Sequence, residues 1–197
     1  MAVDYGKLSG NLGRFFDFTG KVVLFVGAGG RQLLDPAIRT KKLIAIDRMP
    51  EALKELTNVA AAGMLDSVAV IGADFEDVTL PGDVVYFEFC LHEMDDPQRA
   101  LVHASKRAPD IVVFDHLPGS DWVFYSAEEE KVRRSAQAME RFGVRRRETF
   151  RAEQRFRDDA ELFAKVKAQG ATALQRARHF AAATNIVIPM SYELGLL

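Results

Sequence analysis

The sequence predicts an α/β protein: a seven-stranded, mostly parallel sheet with helices on both faces. Three observations carry this expectation. Five short apolar runs alternate with helical patterns between residues 21 and 117, the order that builds parallel sheets through crossover helices. The first run, Val22-Val23-Leu24-Phe25-Val26, enters a glycine turn, Gly27-Ala28-Gly29-Gly30, and the second ends on Asp47, 20 positions after Gly27. That layout belongs to a unit that binds a nucleoside-bearing cofactor: glycine lets the backbone approach the ligand, and the acid accepts hydrogen bonds from a ribose diol. Near the C-terminus the apolar period changes to two, as in half-exposed strands.

Residues 4–19 are short, polar and glycine-dotted, and read as a helical lead-in or lid. Strand one is expected at 21–26 and strand two at 42–47. Residues 31–39 between them should hold the first crossover helix, although Pro36 suits a first turn better than an interior. Residues 49–62 form a helix with Pro50 near its start and Gly63 as its stop. Strands follow at 68–71, 83–89 and 110–115, with a helix over 97–106. A long helix is expected at 127–142. Phe150, Ala152, Gln154 and Phe156 then alternate with charged residues in a sixth strand. Helices at 158–168 and 173–183 are separated by Gly170, and Ile186, Ile188, Met190, Tyr192 and Leu194 alternate in the last strand. The last two strands are expected to be of antiparallel type. Pro189 should force a bulge, because proline removes a ladder donor. Residues 1–197 thus read as one domain: a lid segment at 1–20, a cofactor-binding core at 21–117, and an acceptor-side part at 118–197.

The bulk properties fit a single core. The chain has 197 residues, 48% of them hydrophobic, enough to bury a sizeable interior. A net charge of −2 offers no global attraction to nucleic acid or anionic lipid. The single cysteine, Cys90, cannot form an internal disulfide, which points to a reducing, cytoplasmic location. No apolar run approaches the roughly 20 residues of a membrane span, and the first residues lack a signal-peptide pattern. Self-association is left open.

Four segments in order resemble the class I S-adenosylmethionine-dependent methyltransferases. Val22 to Gly30 is similar to that family's glycine-rich motif, and Leu43-Ile44-Ala45-Ile46-Asp47 to its ribose-binding strand. Ile71-Gly72-Ala73-Asp74-Phe75 is similar to its adenine-binding segment, and Val84 to Met94 with Asp96-Pro97 to its fourth motif. The resemblance implies a Rossmann-like methyltransferase fold whose seventh strand is antiparallel, S-adenosylmethionine as cofactor, and Gly27, Gly29, Asp47, Arg48, Asp74, Phe75 and Glu88 around it. Phe25 stands where the family pattern has an acid, and Arg31 where it has a third glycine, so the methionine end would be held differently. An NAD(P)-binding oxidoreductase would need glycine at position 32, where the chain has Gln32. A non-catalytic, methyltransferase-like interaction protein is the third reading.

Chemistry is expected beyond strands four and five. Each residue there has a plainer alternative. His92 suits removal of a proton from a methyl acceptor near neutral pH, or simply lines the site. His116 is a second candidate, with Asp115 beside it, or shapes the rim. Glu93, Trp122 and Tyr125 are expected to line an acceptor pocket; the aromatics could instead pack against the helix at 127–142. Asp47 could cap the helix that follows it, Asp74 could cap a turn, and Phe75 could be core. Glu88, in an apolar strand end, must have a partner or a wet pocket, since a buried lone carboxylate is costly. Cys90 reads as a small buried hydrophobe. The arginines of 145–157 face Glu148, Glu153, Asp158 and Asp159 and read as a solvated face rather than a nucleic-acid surface. The histidine spacing gives no metal-ligand signature. The acceptor is expected to be a small molecule under a roof formed by the helices at 127–142 and 158–183 and the N-terminal segment.

Overall fold

The computed structural model describes residues 5–29, 32–61 and 68–197. Among the described residues seven strands form one sheet: β1 (Val22–Val26), β2 (Lys42–Asp47), β3 (Val68–Gly72), β4 (Val84–Glu88), β5 (Asp110–His116), β6 (Arg146–Asp158) and β7 (Thr184–Leu196). Their order is β3-β2-β1-β4-β5-β7-β6. The first five are mutually parallel. β7 enters between β5 and β6 and runs antiparallel to both. β6 therefore points the same way as the first five and β7 opposes them, as the expected antiparallel last strand requires, and β6 meets β7 in an antiparallel ladder. The long excursion between β6 and β7 lets the chain turn back into the gap beside β5.

Side-chain alternation buries both faces of the sheet. Val23, Phe25, Leu43 and Ala45 enter one apolar layer, and Leu24, Val26, Ile44 and Ile46 the other. α1 (Tyr5–Phe15) buries Leu8, Leu12 and Phe15 in the first layer, at the spacing of one helix face. α2 (Pro50–Ala61) follows β2. α3 (Pro97–Ser105) begins with Pro97 after Asp96, whose carboxylate accepts from the Arg99 N–H at 3.0 Å. α4 (Asp121–Ser126) and α5 (Glu129–Phe142) follow β5, and α6 (Asp159–Val166) and α7 (Ala171–Ala177) lie between β6 and β7. Among the described residues, no helix is long and apolar enough to cross a membrane.

Two local expectations fail for physical reasons. Among the described residues between β1 and β2 there is no crossover α-helix, only a 3₁₀ turn at Gln32–Leu34; Gly30 and Arg31 lie outside the described residues. Asp35 precedes Pro36, which pushes it away from helical geometry, and its carboxylate takes the Ala37 N–H at 2.9 Å, a local bond that competes with helix formation. α1 packs against this short segment. Nor is there a bulge at Pro189: the β6–β7 register runs unbroken through Glu153 opposite Pro189. Ser191 directs its N–H and C=O to the far side of β7, toward Ser120 and Leu117. By strand alternation Pro189 points the same way, and β5 pairs with β7 only from Tyr192 onward. Its missing N–H therefore faces no strand.

Candidate active site

β5 ends at His116, but β6 and β7 continue past it as a two-stranded arm. The arm overhangs the C-terminal ends of the parallel strands, where open α/β sheets bind ligands. Under it lies a cavity of about 620 Å³.

One end of the cavity is built from the tips of β1, β2 and β3. Gly27 has φ +73°, and a Cβ there would lie 2.4 Å from the Cys90 Cβ, so this position admits glycine alone. Gly29, Asp47, Arg48, Asp74 and Phe75 line the same end. Asp47 accepts the Met49 N–H at 2.8 Å and Asp74 the Glu76 N–H at 3.4 Å. Both acids thus shape turns, and both also face the cavity. Phe75 is buried edge-on against Phe87, with centroids 5.4 Å apart. Glu88, 3% exposed, accepts from the Tyr86 hydroxyl at 2.8 Å and the Gln32 N–H at 3.3 Å, which supplies the partners its burial requires. The Cys90 thiol donates to the Val26 carbonyl, 3.2 Å away, and burial pushes its pKa well up. It is not poised as a nucleophile.

The other end is a buried network around Asp115. The His92 Nδ1 lies 2.5 Å from one Asp115 oxygen, the His92 backbone N–H donates to the other at 3.0 Å, and the Ser135 hydroxyl donates to that oxygen at 3.2 Å. The His116 backbone N–H adds a fourth bond at 2.8 Å. Burial opposes charge on His92, yet the Asp115 carboxylate outweighs it and raises the imidazole pKa to about 9. His116 moves the other way: burial, ahead of the opposing Asp115 charge, drives its pKa down to about 3. The two rings are 5.5 Å apart. One is therefore a cation at neutral pH and the other a neutral hydrogen-bonding group.

The His92 Nε2 faces Glu93 at 3.6 Å, and Glu128 closes the group. Ligand atoms of His92, Glu93 and Glu128 lie within 4.8 Å of one another, a convergence no sequence spacing announced. The Lys131 ammonium sits 2.6 Å from Glu93 and 4.0 Å from Glu128 and serves as their counter-charge. Phe89 lines the cavity in a left-handed conformation, φ +48°, uncommon for an aromatic residue and concentrated at functional sites.

Trp122 lines the cavity and stacks on Phe156 at 5.9 Å. Tyr125 does not line it; the ring turns away to Phe180, 5.0 Å off, correcting the expected pocket role. The expected roof is present in the N-terminal helix and the 158–183 region, and differs in the body of α5, of whose region Glu128 reaches the cavity. Tyr5 and Leu8 of α1, Lys165 of α6, Gln169 and the arm residues Gln154 and Met190 reach the cavity, whereas α5 packs Ala138 and Met139 into the opposite apolar layer. Sequence reasoning missed Glu128, Phe89, Lys165 and Gln154. Only Gln154 carried a signal, as an amide within the otherwise apolar Phe150–Ala152–Phe156 series. Arginines of β6 pair with acids: Arg146 with Glu148, Arg147 with Glu193, Arg155 with Glu153 and Arg157 with Glu161.

Comparison with known proteins follows this geometry. Residues 24–107 match a family described as a methyltransferase domain. No curated protein matches the sequence. Among solved structures, the YcgJ protein of Bacillus subtilis is similar at 13% identity and TM-score 0.68, covering 96% of this chain and 98% of its own. A SAM-dependent methyltransferase of Aquifex aeolicus has 19% identity and TM-score 0.57, covering 98% and 89%. Precorrin 8w decarboxylase of Methanobacterium thermoautotrophicum has 15% identity and TM-score 0.61, covering 96% and 88%. At these identities the likeness is one of fold.

Proposed function

We propose that this chain is an S-adenosylmethionine-dependent methyltransferase, a reading supported by the methyltransferase-domain match over residues 24–107, and that it transfers a methyl group to a small molecule whose reacting atom sheds a proton at His92. The carrying observation is that one cavity joins the Gly27–Asp47–Asp74 end to the His92–Asp115 network. The residues present suit the cofactor. The turn at Gly27 is held open by a position where no Cβ fits, Asp47 stands at a strand tip for a ribose diol, and Phe75 with Asp74 stands at the next tip for the adenine.

S-adenosylmethionine supplies an activated methyl group on a sulfonium. The chain's own task is then to align the acceptor for in-line displacement and to keep water out. The roof of α1 and the β6–β7 arm supports a small acceptor rather than a polymer. Asp115 orients the His92 ring through Nδ1 and leaves Nε2 as the proton acceptor. Because the His92 pKa is near 9, the free base is a small fraction at pH 7. An acceptor whose proton leaves through His92 should react about tenfold faster per pH unit until that value is reached.

The test is a screen of small acceptors with labelled S-adenosylmethionine, followed by the pH–rate profile of any hit in the wild type and in His92→Gln. A rising limb that ends near pH 9 and disappears in the variant supports the reading. Full kcat in His92→Gln leaves alignment alone as the source of rate.

A further inference from the structure

We propose that the acceptor is a small carboxylic acid, held with its apolar body against Phe89 and Trp122 and its carboxylate against Lys165 and the Gln154 amide. This rests on the methyl-transfer reading of the same cavity. Gln154 and His116 line that cavity, and each is only 7% exposed. The Gln154 Oε1 and the His116 Nδ1 have no hydrogen-bond partner among the described residues. The Gln154 Nε2 meets only the Met190 sulfur, at 3.1 Å, and a thioether is a weak acceptor. Buried polar atoms are almost always paired, so two orphans lining one cavity mark it as the place for a ligand's polar groups. The amide can turn either end to that ligand, since nothing strong holds the nitrogen.

Charge identifies the group. Lys165 reaches the cavity from the end of α6 and forms no ion pair among the described residues. The opposite polarity lies at the His92 end, where the carboxylates of Asp115, Glu93 and Glu128 outnumber the His92 and Lys131 cations. An anion is repelled there and attracted to the roof. A molecule with a carboxylate at one end and a methylatable hydroxyl at the other is therefore oriented by the cavity itself, with its hydroxyl toward His92. A single lysine and one amide suit a monoanionic carboxylate better than a phosphate dianion, which would call for more positive charge.

Trp122 is the only tryptophan in the chain, so its fluorescence reports occupancy directly. Protein saturated with S-adenosylhomocysteine is titrated with 4-hydroxybenzoate, its neutral methyl ester and 4-hydroxybenzylamine. The acid is expected to bind at least tenfold more tightly than the ester. Lys165→Met should abolish that advantage, Lys165→Glu should reverse it in favour of the amine, and Gln154→Leu should weaken the acid severalfold. Equal or better binding of ester or amine to the wild type, binding of none of the three, or an acid affinity untouched by Lys165→Met overturns the proposal. S-adenosylhomocysteine affinity, measured separately by calorimetry, should be unchanged in all three variants. Its absence in the wild type would overturn the methyl-transfer reading instead.

Discussion

The two ends of the cavity are built by different rules. The Gly27–Asp47–Asp74 end is assembled from three consecutive strand tips, and its fit depends on backbone shape: a positive φ, a missing Cβ and two turn-forming acids. The His92 end draws on side chains from the turn after β4, from β5, and from α5 and the residue before it, and its behaviour depends on buried charge. The first kind of site tolerates changes in side chains but not in backbone. The second should keep its shape under conservative substitution and lose its chemistry.

The largest effect expected breaks the backbone end. Gly27→Val forces a side chain into Cys90 at a left-handed residue. S-adenosylhomocysteine binding should vanish in calorimetry, and stability should drop by about 2–3 kcal/mol. The next tests the charged end. Asp115→Asn keeps the shape but removes the carboxylate that holds His92. It should lower kcat by roughly 10²–10⁴ for an acceptor that must lose a proton, and move the rising limb of the pH profile down from about 9 toward the ordinary histidine range. A drop in rate with an unmoved limb would indicate a merely structural aspartate.

The two histidines predict opposite pH signatures of stability. His116, held near 3 against an ordinary 6.5, refuses a proton that the unfolded chain accepts below pH 6.5. Its contribution is full above 6.5 and is lost as pH falls toward 3. His92, raised to about 9, stabilises below 6.5, and that contribution is lost as pH rises through 9. Each limb should slope by roughly 1.4 kcal/mol per pH unit. Urea denaturation across pH should show the acid limb flattened in His116→Gln and the alkaline limb flattened in His92→Gln, relative to the wild type. The smallest effect concerns the rim. Tyr125→Leu should leave the acceptor KM unchanged because the ring lies on Phe180, whereas Trp122→Leu should raise it.

What the sequence made legible divides along the same line. The strands of the core, the glycine turn and the acids at the strand tips follow from local period and spacing, so residues 22–116 could be read with boundaries off by a residue or two. The missing crossover helix could not, because Asp35 and Pro36 outweigh the pattern that such a unit normally requires. The antiparallel last strand was legible only through the resemblance of the four motifs, because period two alone does not say which gap the returning chain enters. At the acceptor end, His92, Glu93 and Trp122 were legible as residues after strand ends. Glu128 was not, since only the turn from α4 into α5 brings it beside them. The opposite pKa shifts of His92 and His116 come from which ring touches Asp115 and which is merely buried, a distinction absent from the sequence.

The most direct measurement is a calorimetric titration of S-adenosylhomocysteine into the wild type, Asp47→Ala and His92→Gln. In the proposed reading Asp47 is a charged partner of the ribose, and the loss of such a bond costs roughly 1.5–3 kcal/mol, so Asp47→Ala should bind about tenfold or more weakly, while His92→Gln should stay within about twofold of the wild type. Undiminished binding in Asp47→Ala, or wild-type binding of NAD in place of S-adenosylhomocysteine, would contradict the account of the two ends.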